Sequence, residues 1–201
     1  MRKTAYWAAI LAGSTVLGGC ATAIPPVEVT RFHAGPPVAS TGGIVVEEAQ
    51  GNPDVSMEFR TYAAAVGQEL QRIGFVDETG KQTLRASDYV ALVSFRRSFR
   101  PSGPRQSPVS VGVGGSTGSY GSGLGVGIGI NLSGKPKDIV TSELSVQIRR
   151  RANNAAIWEG RALTEAKEGT PASQPGIAAG KLASALFRDY PGLSGQTITV
   201  K

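Results

Sequence analysis

Apolar and polar positions along this chain alternate with a period of two in several stretches and switch to a helical period in two others. Residues 27–34, VEVTRFHA, alternate and follow a pair of prolines, which predicts a strand. Residues 43–48, GIVVEE, predict a second, with the loop GPPVASTG before it. Between 57 and 73 the period changes. Phe59, Tyr62, Ala63, Val66, Leu70 and Ile73 fall on one helical stripe, Ser56 is placed to cap it and Gly74 to stop it. Glu58 in the first turn complements the helix dipole. Residues 88–100 read as a strand with one apolar face, Tyr89, Ala91, Val93, Phe95 and Phe99, while the other passes from Val90 and Leu92 to Ser94, Arg96, Ser98 and Arg100. Val140, Ser142, Leu144, Val146 and Ile148 alternate in a further strand, and a turn near Asn153-Asn154 leads to a return strand over 157–164. Residues 166–175 form a loop, 176–188 a second helix carrying Ile177, Lys181, Leu182, Ala185 and Leu186, and 197–200 a short last strand.

The interval 101–134 follows neither pattern cleanly. Pro101, Pro104 and Pro108 break it, and 10 of the 23 residues from Gly112 to Gly134 are glycine. Leu124, Val126, Ile128, Ile130 and Leu132 occupy alternate positions. A helix here would lose about 1 kcal/mol per glycine relative to alanine, so the interval is expected to be extended with one apolar face. It either lies over a sheet or projects as a hairpin. The whole predicts an α+β fold: one domain over 27–201, a mostly antiparallel sheet with two helices packed on it, and a Gly-rich extended insertion.

The first residues behave differently. Arg2 and Lys3 precede thirteen uncharged residues, AYWAAILAGSTVL. As a helix these span roughly 20 Å, short of the ~20 residues a membrane crossing needs but suited to a signal peptide. The run closes on Leu17-Gly18-Gly19-Cys20, which resembles the lipobox of bacterial lipoproteins: an aliphatic residue, two small residues that let the peptidase reach the backbone, then a thiol free for alkylation. Cys20 is the only cysteine in the sequence. The resemblance implies that residues 1–19 are removed and that Cys20 carries two or three acyl chains, enough for stable anchoring. Ala21, where aspartate would signal inner-membrane retention in enterobacteria, points to the periplasmic face of the outer membrane. Residues 20–26 then form a tether stiffened by Pro25-Pro26.

Composition narrows the chemistry. One cysteine and one histidine, His33, supply neither a disulfide framework nor the usual Cys/His zinc set. No metal or cofactor is expected. The formal charge is +6, falling to +4 without Arg2 and Lys3, too mild for a nucleic-acid binder. The basic residues are clustered nonetheless: Arg96, Arg97, Arg100 and Arg105 in one group, Arg149, Arg150 and Arg151 in another. If their strands are neighbours, the two groups could form a patch for anionic lipid or cell-wall polymer; the plainer reading is solvated strand ends.

Three motif-like spellings fail on context. Gly114-Gly115-Ser116-Thr117-Gly118 matches a nucleophile elbow, but the only histidine precedes it. The segment from Gly129 to Lys135 nearly matches a phosphate loop, with Pro136 where a hydroxyl should hold magnesium. Gly121, Gly125 and Gly129 are spaced as in membrane helix dimers, but too few apolar residues surround them to span as a helix. Glu69, Asp88 and Glu159 are the carboxylates an envelope enzyme would draw on, though spacing alone pairs none of them.

The order of landmarks resembles one family. Glu69-Leu70-Gln71-Arg72-Ile73-Gly74-Phe75 closes the first helix, and Ser87-Asp88-Tyr89-Val90 opens a strand. After the Gly-rich stretch come Ile157-Trp158-Glu159-Gly160 and finally Phe187-Arg188-Asp189-Tyr190-Pro191. Over about 27–191 this is similar to the domain-of-unknown-function family numbered 4136, small lipoproteins of Gram-negative bacteria. The resemblance implies fold and location and carries over no catalytic residue. The sequence thus leads to a non-catalytic, membrane-anchored envelope module that binds an envelope protein, anionic lipid or polymer. An enzyme acting on an envelope substrate, or a protein self-associating through the Gly-rich strand, are the alternatives.

Overall fold

A computed structural model describes residues 25–35, 40–49, 56–81, 87–103, 109–118, 121–130 and 137–201; of 110–118 and 121–130 it describes the backbone alone. The fold is α+β. Among the described residues, nine strands appear in chain order: β1 Val27–His33, β2 Gly42–Glu48, β3 Phe75–Asp77, β4 Tyr89–Arg100, β5 Val109–Gly118, β6 Gly121–Ile130, β7 Ile139–Arg150, β8 Ala156–Lys167 and β9 Thr197–Val200. Two helices, α1 Met57–Arg72 and α2 Pro175–Phe187, complete it, with a 3₁₀ turn at Pro171–Ser173.

Seven strands make one open sheet in the order β3-β2-β4-β7-β8-β1-β9. β2 runs parallel to β3 and β4; every other pairing in this sheet is antiparallel. Both helices pack on one face of it and touch each other. Alternation along β7 buries Val140, Leu144, Val146 and Ile148, the last three in one core with Tyr62, Val66 and Leu70 of α1 and Leu182, Leu186 and Phe187 of α2. Among the described residues, the opposite face carries no helix. There the polar half of each strand meets solvent and neighbours pair across it: Arg161 with Glu143 at 2.6 Å and Arg100 with Glu165 at 3.1 Å. This is the one-sided burial that period-two strands encode.

The expected signals act where they were read. Phe59 N–H donates to Ser56 Oγ at 3.0 Å, capping α1. Gly74 has φ +113°, and a Cβ there would come within 2.6 Å of the Ser40 carbonyl, so only glycine makes this exit from the helix. Asn154 sits at φ 55° in the β7–β8 turn.

One strand was not expected from the sequence, and the Gly-rich interval takes the hairpin alternative of the two it offered. Residues 75–77 pair with β2 as a short edge strand. The Gly-rich interval contains two strands, and β5 and β6 pair only with each other, forming a two-stranded sheet apart from the seven.

Candidate functional site

Two concavities in the described residues lie along α2. The helix begins with Pro175 at its first turn, where a missing N–H costs nothing. Its buried stripe, Ala178, Ala179, Leu182, Ala183 and Leu186, faces the sheet. The stripe beside it, Ile177, Lys181, Ser184 and Arg188, borders two adjoining pockets. The first is apolar, about 720 Å³, with Pro25, Ile139, Ala166, Ala172 and Ile177 among its walls. The second, about 360 Å³, is bordered by Arg72, Lys181, Arg188, Lys201 and Asp189. Lys181 belongs to both, and the entering chain passes them in turn, Pro25 at the first and Val27 at the second.

Lys181 is an anomaly in this setting. Its Nζ is buried and makes no hydrogen bond, and burial lowers its pKa from the ordinary lysine value. The native state therefore releases this proton before the unfolded chain does. Stability should rise as pH climbs from the native pKa towards about 10.5 and level off above it. Lys181→Met is expected to stabilise the fold at pH 7 by about 1 kcal/mol, or roughly 2–4 °C in Tm, because the stem stays packed while an unpaired charge is removed. It should also flatten the alkaline rise. Thermal melts of both proteins from pH 7 to 11 check this; a lower Tm for the variant means Nζ is well solvated.

The far end of α2 is held from a distance. Arg31 of β1 is 2% exposed. Its Nε donates to the Leu186 carbonyl and its Nη2 to those of Ala185 and Arg188, each at 2.9 Å. Burial lowers its pKa, opposed by the charge of Asp189. A cation at a helix C-terminus that satisfies its last carbonyls is stabilising twice over. Trp158, 1% exposed, stacks on Phe187 and donates its Nε1–H to the Pro191 carbonyl at 3.0 Å. Trp158 thus sits in the sheet–helix core. Arg31 was not expected from the sequence; its signal was a lone arginine on the same strand face as Val27 and Val29.

The other expected site residues are dispersed. Cys20, Leu17, Gly18, Gly19 and Arg105 lie outside the described residues. The two arginine groups do lie on neighbouring strands, but they form no common patch. The antiparallel register sets Arg97 opposite Ser142 and Val90 opposite Arg149, which separates the groups by seven residues of strand, about 23 Å. Several are also engaged: Arg97 with Glu58 at 3.2 Å, Arg100 with Glu165, Arg151 with Glu47 at 2.9 Å, and Arg149 with Gln147 and Asn154. Arg96 and Arg150 are exposed.

The candidate carboxylates occupy separate settings as well. Glu69 pairs with Arg72 on α1, Glu159 accepts from Gln147 on the open sheet face, and Asp88 accepts from the Gly43 N–H at 3.3 Å, fastening β2 to β4. His33 lies 3.1 Å from the Gly192 carbonyl through Nε2. Among the described residues, no group of three His, Cys, Asp or Glu could hold a metal ion.

What these features define is an α+β domain with one solvated sheet face and a groove along its second helix. The chain belongs to the family of the uncharacterized protein ZMO1243 of Zymomonas mobilis. The two are 32% identical over 224 aligned residues, which span 89% of this chain and 82% of that protein. No family model matches the chain. Solved structures similar to it include the PelC dodecamer from Paraburkholderia phytofirmans, with a TM-score of 0.43 and 13% identity over 80% of this chain and 94% of that one. A PDZ domain protein from Parabacteroides distasonis gives a TM-score of 0.45 and 8% identity, over 88% of this chain and 39% of that one.

Proposed function

We propose that this protein is a non-catalytic lipoprotein of the Gram-negative cell envelope, similar to the domain-of-unknown-function family numbered 4136. It is held at the periplasmic face of the outer membrane by lipid on Cys20 and serves as a binding or structural module. The observation that carries this reading is Leu17-Gly18-Gly19-Cys20 at the end of an uncharged run that follows Arg2 and Lys3. The way the domain receives its N-terminus supports it. Five residues after Cys20 the chain reaches Pro25 and Pro26, and then enters β1, which is hydrogen-bonded on both sides, to β8 and β9. A tether attached there loads a strand secured along both edges rather than a fraying end. The apolar pocket beside Pro25 lies within a few residues of the lipid, where a membrane-proximal partner would meet it.

Fractionation of cells tests the anchor. The wild-type protein is expected in membranes after a high-salt wash, with mature protein beginning at acylated Cys20 by mass spectrometry. Cys20→Ala is expected to retain residues 1–19 and to lack any acyl adduct. A wild-type protein whose Cys20 carries no lipid would overturn the reading.

A further inference from the structure

The hairpin of β5 and β6 has an unusual distribution of residues between its faces. The register sets Val109 opposite Ile130, Val111 opposite Ile128 and Val113 opposite Val126. Leu124 follows on the same face, opposite Gly115. The intervening rungs are Ser110 with Gly129, Gly112 with Gly127, Gly114 with Gly125 and Ser116 with Gly123. By the alternation of a strand, one face is therefore aliphatic over most of its length and the other is glycine and serine throughout. Such a hairpin is poorly suited to water. A two-stranded sheet is marginal alone, glycine weakens it further, and neither outer edge of this one pairs with the seven-stranded sheet.

Each strand is 10 residues long, within the 9–11 that a tilted transmembrane strand needs. Alternation of apolar with small or polar residues over such segments is the pattern of strands that line a pore on one side and lipid on the other. The surroundings agree. Phe99, 57% exposed, stands near the end of β4 before the hairpin, beside Arg100, whose charge is paired with Glu165, and the exposed Lys137 follows the hairpin. An aromatic and basic residues at the base of a membrane-inserted element meet the headgroups.

We infer that the β5–β6 hairpin is a membrane-inserting element, its aliphatic face against bilayer hydrocarbon and its Gly/Ser face towards an aqueous lumen. A lone hairpin cannot cross, because hydrocarbon leaves its edge N–H and C=O groups unsatisfied. The edges are closed by hairpins of further copies of this chain, and a barrel of eight strands or more takes about four copies at least. This goes beyond lipid anchoring and does not depend on it.

The test uses the full chain carrying Cys20→Ala, with one cysteine introduced at a time by Gly125→Cys, Val126→Cys, Gly127→Cys and Ile128→Cys. Each is labelled with an environment-sensitive dye and mixed with phosphatidylethanolamine–phosphatidylglycerol vesicles. Positions 126 and 128 are expected to gain about twofold or more in emission and to be quenched by a lipid-borne quencher. Positions 125 and 127 should stay accessible to aqueous iodide. The uncleaved leader cannot create a difference between adjacent hairpin positions. Ile128→Arg should abolish the change at 126, whereas Gly127→Arg should preserve it, with the melting of the seven-stranded sheet unmoved in both. Equal responses at all four positions would overturn the inference. So would the same alternation without vesicles, which means copies stacking on one another in water, or a monomer extracted from the vesicles. Because Cys20 is absent throughout, loss of the alternation indicts the hairpin and leaves the anchor reading standing.

Discussion

Arg31→Ala should destabilise the domain by about 3 kcal/mol or more, or roughly 6–12 °C in Tm. Arg31 is nearly inaccessible to water, and its guanidinium serves three carbonyls at the end of α2 that lack helical partners. Truncation leaves those acceptors buried and unpaired and also removes a cation from the negative end of the helix dipole. Its backbone carbonyl additionally accepts from the Gly195 N–H at 2.8 Å, so β1, the end of α2 and the 190–195 segment meet at this residue. Arg31→Lys should recover only part of the loss. An ammonium is a point donor on a flexible stem and cannot reproduce a planar fork bonded through two nitrogens. Urea unfolding of the wild type and the two variants distinguishes this from simple packing, which Lys and Met would restore about equally. If Arg31→Met matched Arg31→Lys, or if Ala cost less than about 1 kcal/mol, water would be reaching the carbonyls.

The same residue marks the limit of what the sequence tells. Alternation found β1, β4, β7 and β8, and helical spacing found α1 and α2 to within a residue or two, because one-sided burial writes itself locally. The partners of each element are a different matter. That β1, at residues 27–33, inserts between β8 and β9, which lie beyond residue 155, follows from long-range closure that no local period carries. Arg31 alternates with Val27 and Val29, so its burial was implied, but its partners lie about 155 residues away. The arginine groups illustrate the converse. Adjacency of their strands was anticipated as a condition, yet the antiparallel direction sends the two groups to opposite ends. In the Gly-rich interval the apolar alternation of β6 was legible. β5 was not, because its three valines give way to Gly114-Gly115 before a pattern builds up.

Trp158→Ala is expected to be the most damaging single substitution in the core, at about 3–5 kcal/mol. The indole is stacked on Phe187 at 5.2 Å between centroids and lies against Tyr190 at 5.4 Å, so it joins β8 to the end of α2 and to the segment after it. Gly160, two residues on along the same face of β8, makes this possible. A Cβ there would collide with the indole and come within 2.8 Å of Leu186 Cδ1. The site is thus shaped for one large ring over one missing side chain, and it has little freedom to collapse when the ring is removed. Trp158→Phe should cost less, about 1–2 kcal/mol, since an aromatic still meets Phe187 while the Pro191 carbonyl loses its donor. The measurement has a convenient reporter. Trp7 and Trp158 are the only tryptophans, and removal of residues 1–19 would leave Trp158 alone. Emission of the mature protein should then be blue-shifted in the native state and move to the red in one transition, coincident with loss of sheet circular dichroism. A native emission already at the position of solvated tryptophan, or a Trp158→Ala variant unfolding within about 1 kcal/mol of the wild type, would mean that the ring is not the plug that joins sheet and helix here.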